Sequence, residues 1–182
     1  MVPWEDRKKY VSKLGVVFGQ RSQLWWDVPV IESFQLLRDI YRVERGAFQS
    51  NLRRLTEQLD LQPFLNAPVR LLSLGQRMRC EIAASLLHSP EILFLDEPTI
   101  GLDAVSKLKV REFIQSENRE RKLTVILTTH DMQDIDALCH RVLLIGKGQL
   151  LLDGSIEEIR AMAGENLSTE ESVADLYRRF GI

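Results

Sequence analysis

The chain has 182 residues, of which 45% are hydrophobic, and this is enough to build the core of one domain. Its 24 basic and 26 acidic residues are interspersed and leave a net charge of -2, which excludes a general electrostatic attraction to nucleic acid or to anionic lipid. The isolated cysteines Cys80 and Cys139 give neither a disulfide framework nor a zinc motif and suit a reducing compartment. No stretch approaches the roughly 20 apolar residues that span a bilayer, so we expect no direct membrane insertion.

The first half of the chain predicts one strand followed by two helices. Residues 14–18 are a short β-branched run closed by Gly19, which is typical of a buried strand that enters a loop. Apolar residues then recur at a helical period over residues 30–43 and again over residues 48–61. We expect these helices to form a compact helical subdomain, about residues 29–88.

The second half alternates strands with helices. The predicted elements are a helix that ends at Pro90, a strand over 92–95, a helix over about 103–119, a strand over 123–127, a helix capped by Asp131, and hairpin strands over 141–145 and 149–152. Capping boxes at Ser155–Glu158 and Ser168–Glu171 predict two short closing helices. The alternation predicts an α/β fold with a mostly parallel sheet and helices on both faces, in a domain that ends near residue 155 and is followed by a helical tail, 156–182.

Two segments in the middle of the chain carry the strongest chemical signal. One is the polar turn Leu72-Ser73-Leu74-Gly75-Gln76, and the other is the apolar strand that ends in Asp96-Glu97. A buried parallel strand that delivers two adjacent carboxylates to its carboxyl end is typical of proteins that handle phosphate together with a metal ion. The loop G-x-x-x-x-G-K-[ST], which would cradle the phosphates, does not occur in the sequence.

Five segments, in this order, resemble the nucleotide-binding domain of ABC transporters over residues 14–159. They are Gln20, Leu-Ser-Leu-Gly-Gln, Asp96-Glu97, Gly101-Leu102-Asp103 and His130. The resemblance is to exporter-type subunits whose signature reads LSLGQ, with Leu74 at a position where the family usually has glycine. It implies a P-loop NTPase-like (RecA-like) sheet with a helical subdomain. It also implies that ATP and Mg²⁺ are bound and that ATP hydrolysis is coupled to export.

The resemblance implies roles for the residues at the strand ends. Asp96 matches the Walker B aspartate that holds Mg²⁺, and Gln20 matches the Q-loop glutamine that gives the ion an oxygen ligand and senses the γ-phosphate. Gln23 is the alternative to Gln20, since a glycine stands where the family more often runs straight into glutamine. Glu97 matches the general base that polarises the attacking water, and His130 matches the switch histidine that hydrogen-bonds the γ-phosphate. The alternative for each is an ordinary polar residue in a turn or loop.

Ser73, Gly75 and Gln76 match the signature loop, which binds the nucleotide of the opposite subunit. A hydroxyl, free backbone N–H groups and the helix dipole all favour a phosphate there, although a plain helix cap has the same sequence. Asp103 matches the D-loop acid that communicates across the dimer, and it would look identical as a helix N-cap. Trp25-Trp26 resembles the aromatic surface that receives a coupling helix of the membrane subunit, although aromatic pairs are more often part of a core.

In the family the phosphate loop lies upstream of the Q-loop, so the chain resembles the C-terminal part of a longer domain, with the N-terminal strands and Walker A missing. Without that loop the phosphates lose their main donors, and we expect negligible ATPase activity from this chain alone, with unpaired sheet edges and self-association. The implied partners are a transmembrane permease and a second nucleotide-binding subunit, at the inner, cytoplasmic face of the cell membrane.

Other functions remain open on the sequence. A non-catalytic partner that lends Ser73 and Gln76 to a complete ATPase, or the product of a decayed gene, would show the same features. A soluble ABC-type ATPase acting on DNA or ribosomes is disfavoured by the near-neutral charge, by the absence of a coiled-coil insertion between Gln20 and Leu72, and by the single cassette.

Overall fold

The computed structural model describes Val2, residues 4–19 and 21–163, and the single positions Glu170, Glu171, Ala174 and Arg178. The chain divides into two compact units, Met1–Thr128 and Thr129–Ile182. No helix among the described residues combines the length and the apolar character that crossing a membrane requires.

A three-stranded parallel sheet forms the centre of the first unit. Its strands are β1 (Leu14–Phe18), β2 (Ile92–Asp96) and β3 (Thr124–Thr128), in the order β1-β2-β3. The register aligns Phe18 with Asp96 and Asp96 with Thr128, so the three strands end together. The predictions for these three strands are confirmed to within one residue at each end, and the parallel α/β fold is confirmed with them.

The helices of the first unit are α1 (Arg7–Val11), α2 (Val30–Tyr41), α3 (Arg45–Gln58), α4 (Leu74–Leu86) and α5 (Ala104–Arg121). Helix α3 begins three residues before the apolar period predicts, because the Glu44 carboxylate accepts a hydrogen bond from the Ala47 N–H at 2.9 Å and caps the first turn. In α2 the apolar period over residues 30–43 includes Ile40, but this side chain is not buried. The buried side of that helix is built by Val30, Ser33 and Phe34, and Ile40 lies beyond its edge, 61% exposed.

Helix α4 packs on β1 and is buried along most of its length. Met78, Ile82 and Leu86, which share an apolar face at helical spacing, are each at most 3% exposed. The polar side chains of Glu81 and Ser85 are buried as well, at 4% and 2% exposed. The apolar period therefore identified the core face of this helix but gave no sign that its polar side is also covered by protein.

Helix α3 is tied to α5 and α4 by buried polar contacts. Glu117 of α5 is 3% exposed and pairs with the guanidinium group of Arg54, which also donates to Oδ1 of Asn51 at 2.9 Å. The Asn51 side-chain nitrogen donates in turn to the Leu86 carbonyl oxygen at 2.8 Å. Since a buried charge is stable only with its partner, these contacts fix α3 in place. The limits of the helical subdomain remain a prediction.

Strand β3 lies at an edge of the described sheet but has the sequence of an interior strand. Val125 and Leu127 are in register with Leu93 and Leu95, which are each 1% exposed, yet both are only half-buried. Ile126, on the other face, is 46% exposed. Parallel strands are normally covered on both faces, and an apolar edge invites further pairing. The exposed apolar surface expected at a sheet edge is thus present among the described residues.

The second unit contains the hairpin β4 (Val142–Gly146) and β5 (Gln149–Gly154) between helices α6 (Met132–Leu138) and α7 (Ile156–Ala163). Its small core joins Leu144, Leu152 and Ile159. The capping box at the start of α7 is confirmed, because the Ser155 N–H donates to the Glu158 carboxylate at 2.7 Å and the Glu158 N–H donates to the Ser155 hydroxyl at 3.2 Å. The second predicted capping box begins at Ser168, outside the described residues. The boundary predicted near residue 155 stays a prediction.

Candidate functional site

The carboxyl ends of the three parallel strands bring polar groups together in the first unit. Phe18, Asp96 and Thr128 lie side by side in the register of β1, β2 and β3, and Glu97 follows directly on β2. Ligands of open parallel sheets bind at this edge, because the loops that leave the strands form a crevice there. The predicted strand-end carboxylates are therefore placed where a phosphate ligand of this fold class would bind.

Asp96 presents an exposed carboxylate beside a hydroxyl group. Its Oδ1 accepts a hydrogen bond from the Thr128 Oγ1 hydroxyl at 2.6 Å, which orients the carboxylate from the neighbouring strand. Mg²⁺ is commonly held by one or two carboxylates together with water and substrate phosphates. Among the described residues no group of three potential metal ligands comes together. A single oriented carboxylate at the strand edge nevertheless fits an ion that takes its remaining ligands from phosphate and water.

Glu97 has a backbone conformation that is unusual for its residue type. Its φ angle is +50°, in the left-handed region that side chains other than glycine, asparagine and aspartate seldom occupy. The Glu97 N–H donates to the Thr128 carbonyl oxygen at 3.0 Å, and its own carbonyl oxygen accepts from the Ile100 N–H at 3.2 Å. Such strain persists only where the surroundings determine it, and here these two hydrogen bonds hold the backbone on both sides of the residue. The fold therefore bends the chain sharply at the residue predicted to be the general base.

The loop after β1 passes across the end of β2. A β-carbon on Gly19 would lie 2.7 Å from the carbonyl oxygen of Asp96, closer than real β-carbons approach, and 3.0 Å from that of Glu97. This explains why a glycine stands before Gln20, which itself lies outside the described residues. The side-chain nitrogen of the competing candidate Gln23 donates to the Glu81 carbonyl oxygen at 3.1 Å. The choice of Gln20 over Gln23 as the Q-loop glutamine stays a prediction.

The signature turn, residues 72–76, begins helix α4 with a closed capping box. The Ser73 hydroxyl oxygen accepts from the Gln76 N–H at 3.2 Å, and the Gln76 Oε1 accepts from the Ser73 N–H at 2.9 Å. The box uses oxygen acceptors, so the Ser73 hydroxyl hydrogen and the Gln76 amide hydrogens are left to donate to a ligand. Leu74 is the first residue of the helix and its φ is not positive, so leucine fits there without strain. The helix cap and the anion site predicted for this turn are thus compatible.

Gly75 and Asp103 are brought together through Ser106. A β-carbon on Gly75 would lie 2.9 Å from the Ser106 β-carbon and nearer still to its hydroxyl, so only glycine allows the starts of α4 and α5 to approach this closely. Asp103 caps α5, accepting from the Ser106 N–H at 3.0 Å and from the Ser106 hydroxyl at 2.7 Å. These bonds hold the pKa of the Asp103 carboxyl below its usual value. The N-cap alternative for Asp103 is confirmed, and its role across a dimer stays a prediction.

His130 belongs to the second unit and has an exposed side chain in the turn before α6. The turn is fixed by Thr129, whose hydroxyl accepts from the Asp131 N–H at 3.0 Å and donates to the buried Asp134 carboxylate at 3.1 Å. Asp131 caps α6 by accepting from the Gln133 N–H at 3.0 Å, which confirms the helix start predicted from sequence. Hydrogen bonds of Thr129 and Asp131 therefore fix the backbone on both sides of the histidine.

The two tryptophans after the strand-end loop are on the surface. Trp25 is 56% exposed and Trp26 is 50% exposed, so the alternative that they form part of the core is wrong. Leu71, in the turn before the signature, is also exposed, at 65%. Large exposed aromatic side chains are typical of protein interfaces, where they bury much area at a small entropy cost.

The buried residue Glu81 and Ser22 form a contact that the sequence did not predict. The Ser22 hydroxyl donates to the Glu81 carboxylate, which also accepts from the Gln23 N–H at 3.2 Å. Burial raises the pKa of the Glu81 carboxyl, an effect that these hydrogen bonds oppose. A charged residue between two apolar neighbours, Cys80-Glu81-Ile82, was the one available signal, and it does not indicate a partner.

Comparison with known proteins agrees with this geometry. The family model described as ABC transporter matches residues 2–100. The chain is 33% identical over 148 residues to the ABC transporter ATP-binding protein NatA of Bacillus subtilis, covering 81% of this chain and 60% of NatA. It is 31% identical over 159 residues to the methionine import ATP-binding protein MetN 2 of Enterococcus faecalis, covering 87% of this chain and 46% of that protein. The ATP-binding cassette MJ0796, solved as a dimer with ADP and phosphate, superposes with a TM-score of 0.72 at 26% identity, covering 85% of this chain and 68% of that chain.

Proposed function

Because the chain belongs to the ABC transporter family, we propose that it is the ATP-binding part of a subunit that couples ATP hydrolysis to export through a membrane permease. The chain spans about three fifths of the length of NatA and under half that of MetN 2, so the activity of a whole subunit is part of the proposal. The observation that carries it is Asp96-Glu97 at the carboxyl end of the central strand, oriented by the hydroxyl of Thr128. ATP hydrolysis at this edge follows the pattern of other phosphate-handling α/β proteins.

The proposed hydrolytic roles follow from the chemistry of each group. Asp96, with Gln20, holds Mg²⁺, which when bound offsets negative charge on the β- and γ-phosphates. Glu97 accepts a hydrogen bond from the attacking water and takes its proton, work for which a carboxylate next to the metal-binding residue is suited. His130 donates a hydrogen bond to the γ-phosphate. The turn held by Thr129 and Asp131 supports this role by fixing the backbone on either side of the histidine.

A second subunit completes the site in this proposal. Ser73 and Gln76 donate to the γ-phosphate of the nucleotide held by the opposite subunit, and the N-terminus of α4 adds its N–H groups and dipole. Gly75 allows Asp103 to lie beside this turn, so the acid can communicate across the dimer. The arrangement of MJ0796 as a dimer with ADP and phosphate supports a paired assembly.

The permease binds at Trp25-Trp26 in this proposal, which places the chain at the inner face of the membrane by way of its partner. The half-exposed indole rings support a protein interface there. Export is the proposed direction because the LSLGQ signature resembles that of exporter-type subunits. Because MetN 2 is named an import protein, the direction needs its own test, in which inverted membrane vesicles should accumulate the substrate when ATP is supplied outside.

The test of hydrolysis uses the complex purified from membranes through a tag on this chain. We expect Mg²⁺-dependent ATP turnover, and Glu97→Gln should co-purify with the same partners while losing turnover by about 100-fold or more. The control is Glu91→Gln, which removes an exposed carboxylate paired with Lys13 at 2.7 Å and should leave turnover unchanged. Turnover that is insensitive to Glu97→Gln would refute the proposal.

A second candidate is a non-catalytic partner that lends the signature turn to a complete ATPase. It is favoured by one observation, namely that the donors of Ser73 and Gln76 are in place whereas the motif G-x-x-x-x-G-K-[ST] is absent from these 182 residues. For both candidates we expect negligible ATP turnover by the purified chain alone. The two candidates differ in the purified complex. If the chain is a non-catalytic partner, ATP turnover by the complex depends on Ser73 but not on Glu97.

A further inference from the structure

The tryptophan loop, residues 21–28, is attached to helix α4 at two points one helical turn apart. Arg77 and Glu81 occupy positions i and i+4 of α4 and therefore lie on the same side of the helix. The guanidinium carbon of Arg77 lies 5.8 Å from the centroid of the Trp26 ring, within the range of cation–π attraction. The Glu81 carboxylate accepts a hydrogen bond from the Ser22 hydroxyl.

The attachment at Glu81 is a buried network of hydrogen bonds between the loop and α4. Glu81 is 4% exposed, and its carboxylate also accepts from the Gln23 N–H at 3.2 Å. The Gln23 side chain returns a bond to the Glu81 carbonyl oxygen at 3.1 Å, and the Ser22 hydroxyl oxygen accepts from the Leu24 N–H at 3.1 Å. A buried carboxylate is costly unless donors satisfy it, so the loop and this position of α4 stabilise one another.

The Arg77 attachment leads directly to the signature turn. The Arg77 N–H donates to the Ser73 carbonyl oxygen at 2.8 Å, in the first turn of α4, while its guanidinium group covers Trp26. On the other side of the loop the Trp25 N–H donates to the buried Ser33 hydroxyl of α2 at 3.1 Å. The loop is thus held between two helices, and its contact with α4 begins one turn from Ser73.

We infer that Arg77 and Glu81 are positioning residues that make the tryptophan loop and the first turn of α4 move as one piece. A displacement of Trp26 reaches Ser73 through the Arg77 side chain and the hydrogen bond from the Arg77 N–H to the Ser73 carbonyl oxygen. The bond between Ser22 and Glu81 keeps the loop from moving independently of α4. The consequence for transport rests on the proposed function. A permease segment that binds the tryptophans would shift the donors Ser73 and Gln76 without contacting either of them.

The inference is tested by amide hydrogen exchange on the purified chain, which needs neither nucleotide nor permease. Glu81→Ala and Arg77→Ala should each raise exchange about tenfold or more in residues 21–28 and at Gln76-Arg77, while amides of α3 and β2 keep the wild-type rate. Glu81→Gln keeps one acceptor oxygen in the same place and should restore part of the protection. It also gives a measurable variant if Glu81→Ala does not fold.

Coupling from the tryptophan loop to the first turn of α4 is tested by substitutions in the loop. Trp26→Ala removes the ring that Arg77 covers and should raise exchange at Gln76-Arg77, whereas Trp25→Ala, which leaves that ring in place, should not. If exchange in α3 and β2 rose as much as exchange at Gln76-Arg77, the variants would have lost stability generally, and the inference would be overturned. It would also be overturned if Trp26→Ala left exchange at Gln76-Arg77 unchanged. Because the measurement uses the chain alone, its failure would leave the ATPase proposal standing, and failure of the ATPase test would leave this attachment standing.

Discussion

Gly19 and Asp96 approach so closely that a β-carbon on Gly19 would lie 2.7 Å from the Asp96 carbonyl oxygen. The loop that leaves β1 therefore crosses directly over the end of β2, one residue before Gln20. The atoms that a side chain at position 19 would meet belong to the backbone of β2, which cannot change rotamer as a side chain can. Any side chain there must therefore displace the loop, the end of β2, or both. The close packing of the start of this loop against the end of β2 therefore depends on the absence of a side chain at position 19.

Gly19→Ala should destabilise the chain by about 1–3 kcal/mol, the usual cost of forcing an extra methyl group into a packed site. The free energy of unfolding in urea measures this. Gly46→Ala is the matched control, since Gly46 lies in the first turn of α3 and its added methyl group would meet only the end of the Glu44 side chain. That control should be neutral or stabilising by up to about 1 kcal/mol, because alanine favours helix. Equal effects of the two substitutions would contradict the role given to Gly19.

Thr128→Val should weaken Mg²⁺ binding by the assembled ATPase without abolishing turnover. The hydroxyl of Thr128 orients the Asp96 carboxylate at 2.6 Å, and loss of such a supporting hydrogen bond typically costs about 10–100-fold in metal affinity. A Mg²⁺ titration of ATP turnover should therefore show a half-maximal concentration raised by about tenfold or more. Thr124→Val, at the other end of the same exposed strand, is the control and should leave the titration unchanged.

The parts of the site that sequence could predict are those fixed by neighbours along the chain. Apolar runs closed by polar residues located β1 and β2, so Asp96 and Glu97 were correctly assigned to a strand end. The helix N-terminus expected at the signature loop is likewise present, with Ser73 as the N-cap of α4. In each case a local preference and the final fold agree, which is typical of sequences that specify one structure.

What sequence could not predict depends on pairs that meet only in three dimensions. Ser22 and Glu81 are 59 residues apart, and neither belongs to a recognisable motif. The exposed position of Trp25-Trp26 was open for the same reason, because an aromatic pair has the same local pattern in a core and at a surface. The left-handed backbone at Glu97 was hidden as well, since glutamate has no preference for that conformation.

Glu97→Gly should be more stable than Glu97→Ala, by about 1 kcal/mol, although glycine is normally the more destabilising replacement. Both substitutions remove the carboxylate, but only glycine adopts a φ of +50° without steric cost. Urea unfolding of the two variants measures the difference. Ile126→Gly and Ile126→Ala on β3 form a control pair with ordinary strand geometry, where alanine should be the more stable. If the alanine variant were the more stable one at position 97 as well as at position 126, the backbone at Glu97 would not be strained.

The stability of the chain should fall as the pH drops below about 6.5, and His88 should be a cause. Its ring stacks on Tyr41 with centroids 3.9 Å apart, its Nε2 lies 2.9 Å from the Leu14 carbonyl oxygen, and no described group bonds its buried Nδ1. Burial lowers the pKa of His88, so the folded chain binds fewer protons than the unfolded chain once the pH falls below the unfolded value.

The His88 contribution is therefore fully present above the unfolded pKa and is lost as the pH falls through the folded pKa, with a slope of at most about 1.4 kcal/mol per pH unit. Urea unfolding from pH 8 to pH 5 should show this loss in the wild type and a shallower loss in His88→Gln. Above pH 7.5 the imidazole is neutral in both states, and the two proteins should differ by a constant amount. If the difference between them did not narrow toward pH 5, protonation of His88 would not be coupled to folding, and the stacked, buried ring would have to accept a proton as readily as one in water.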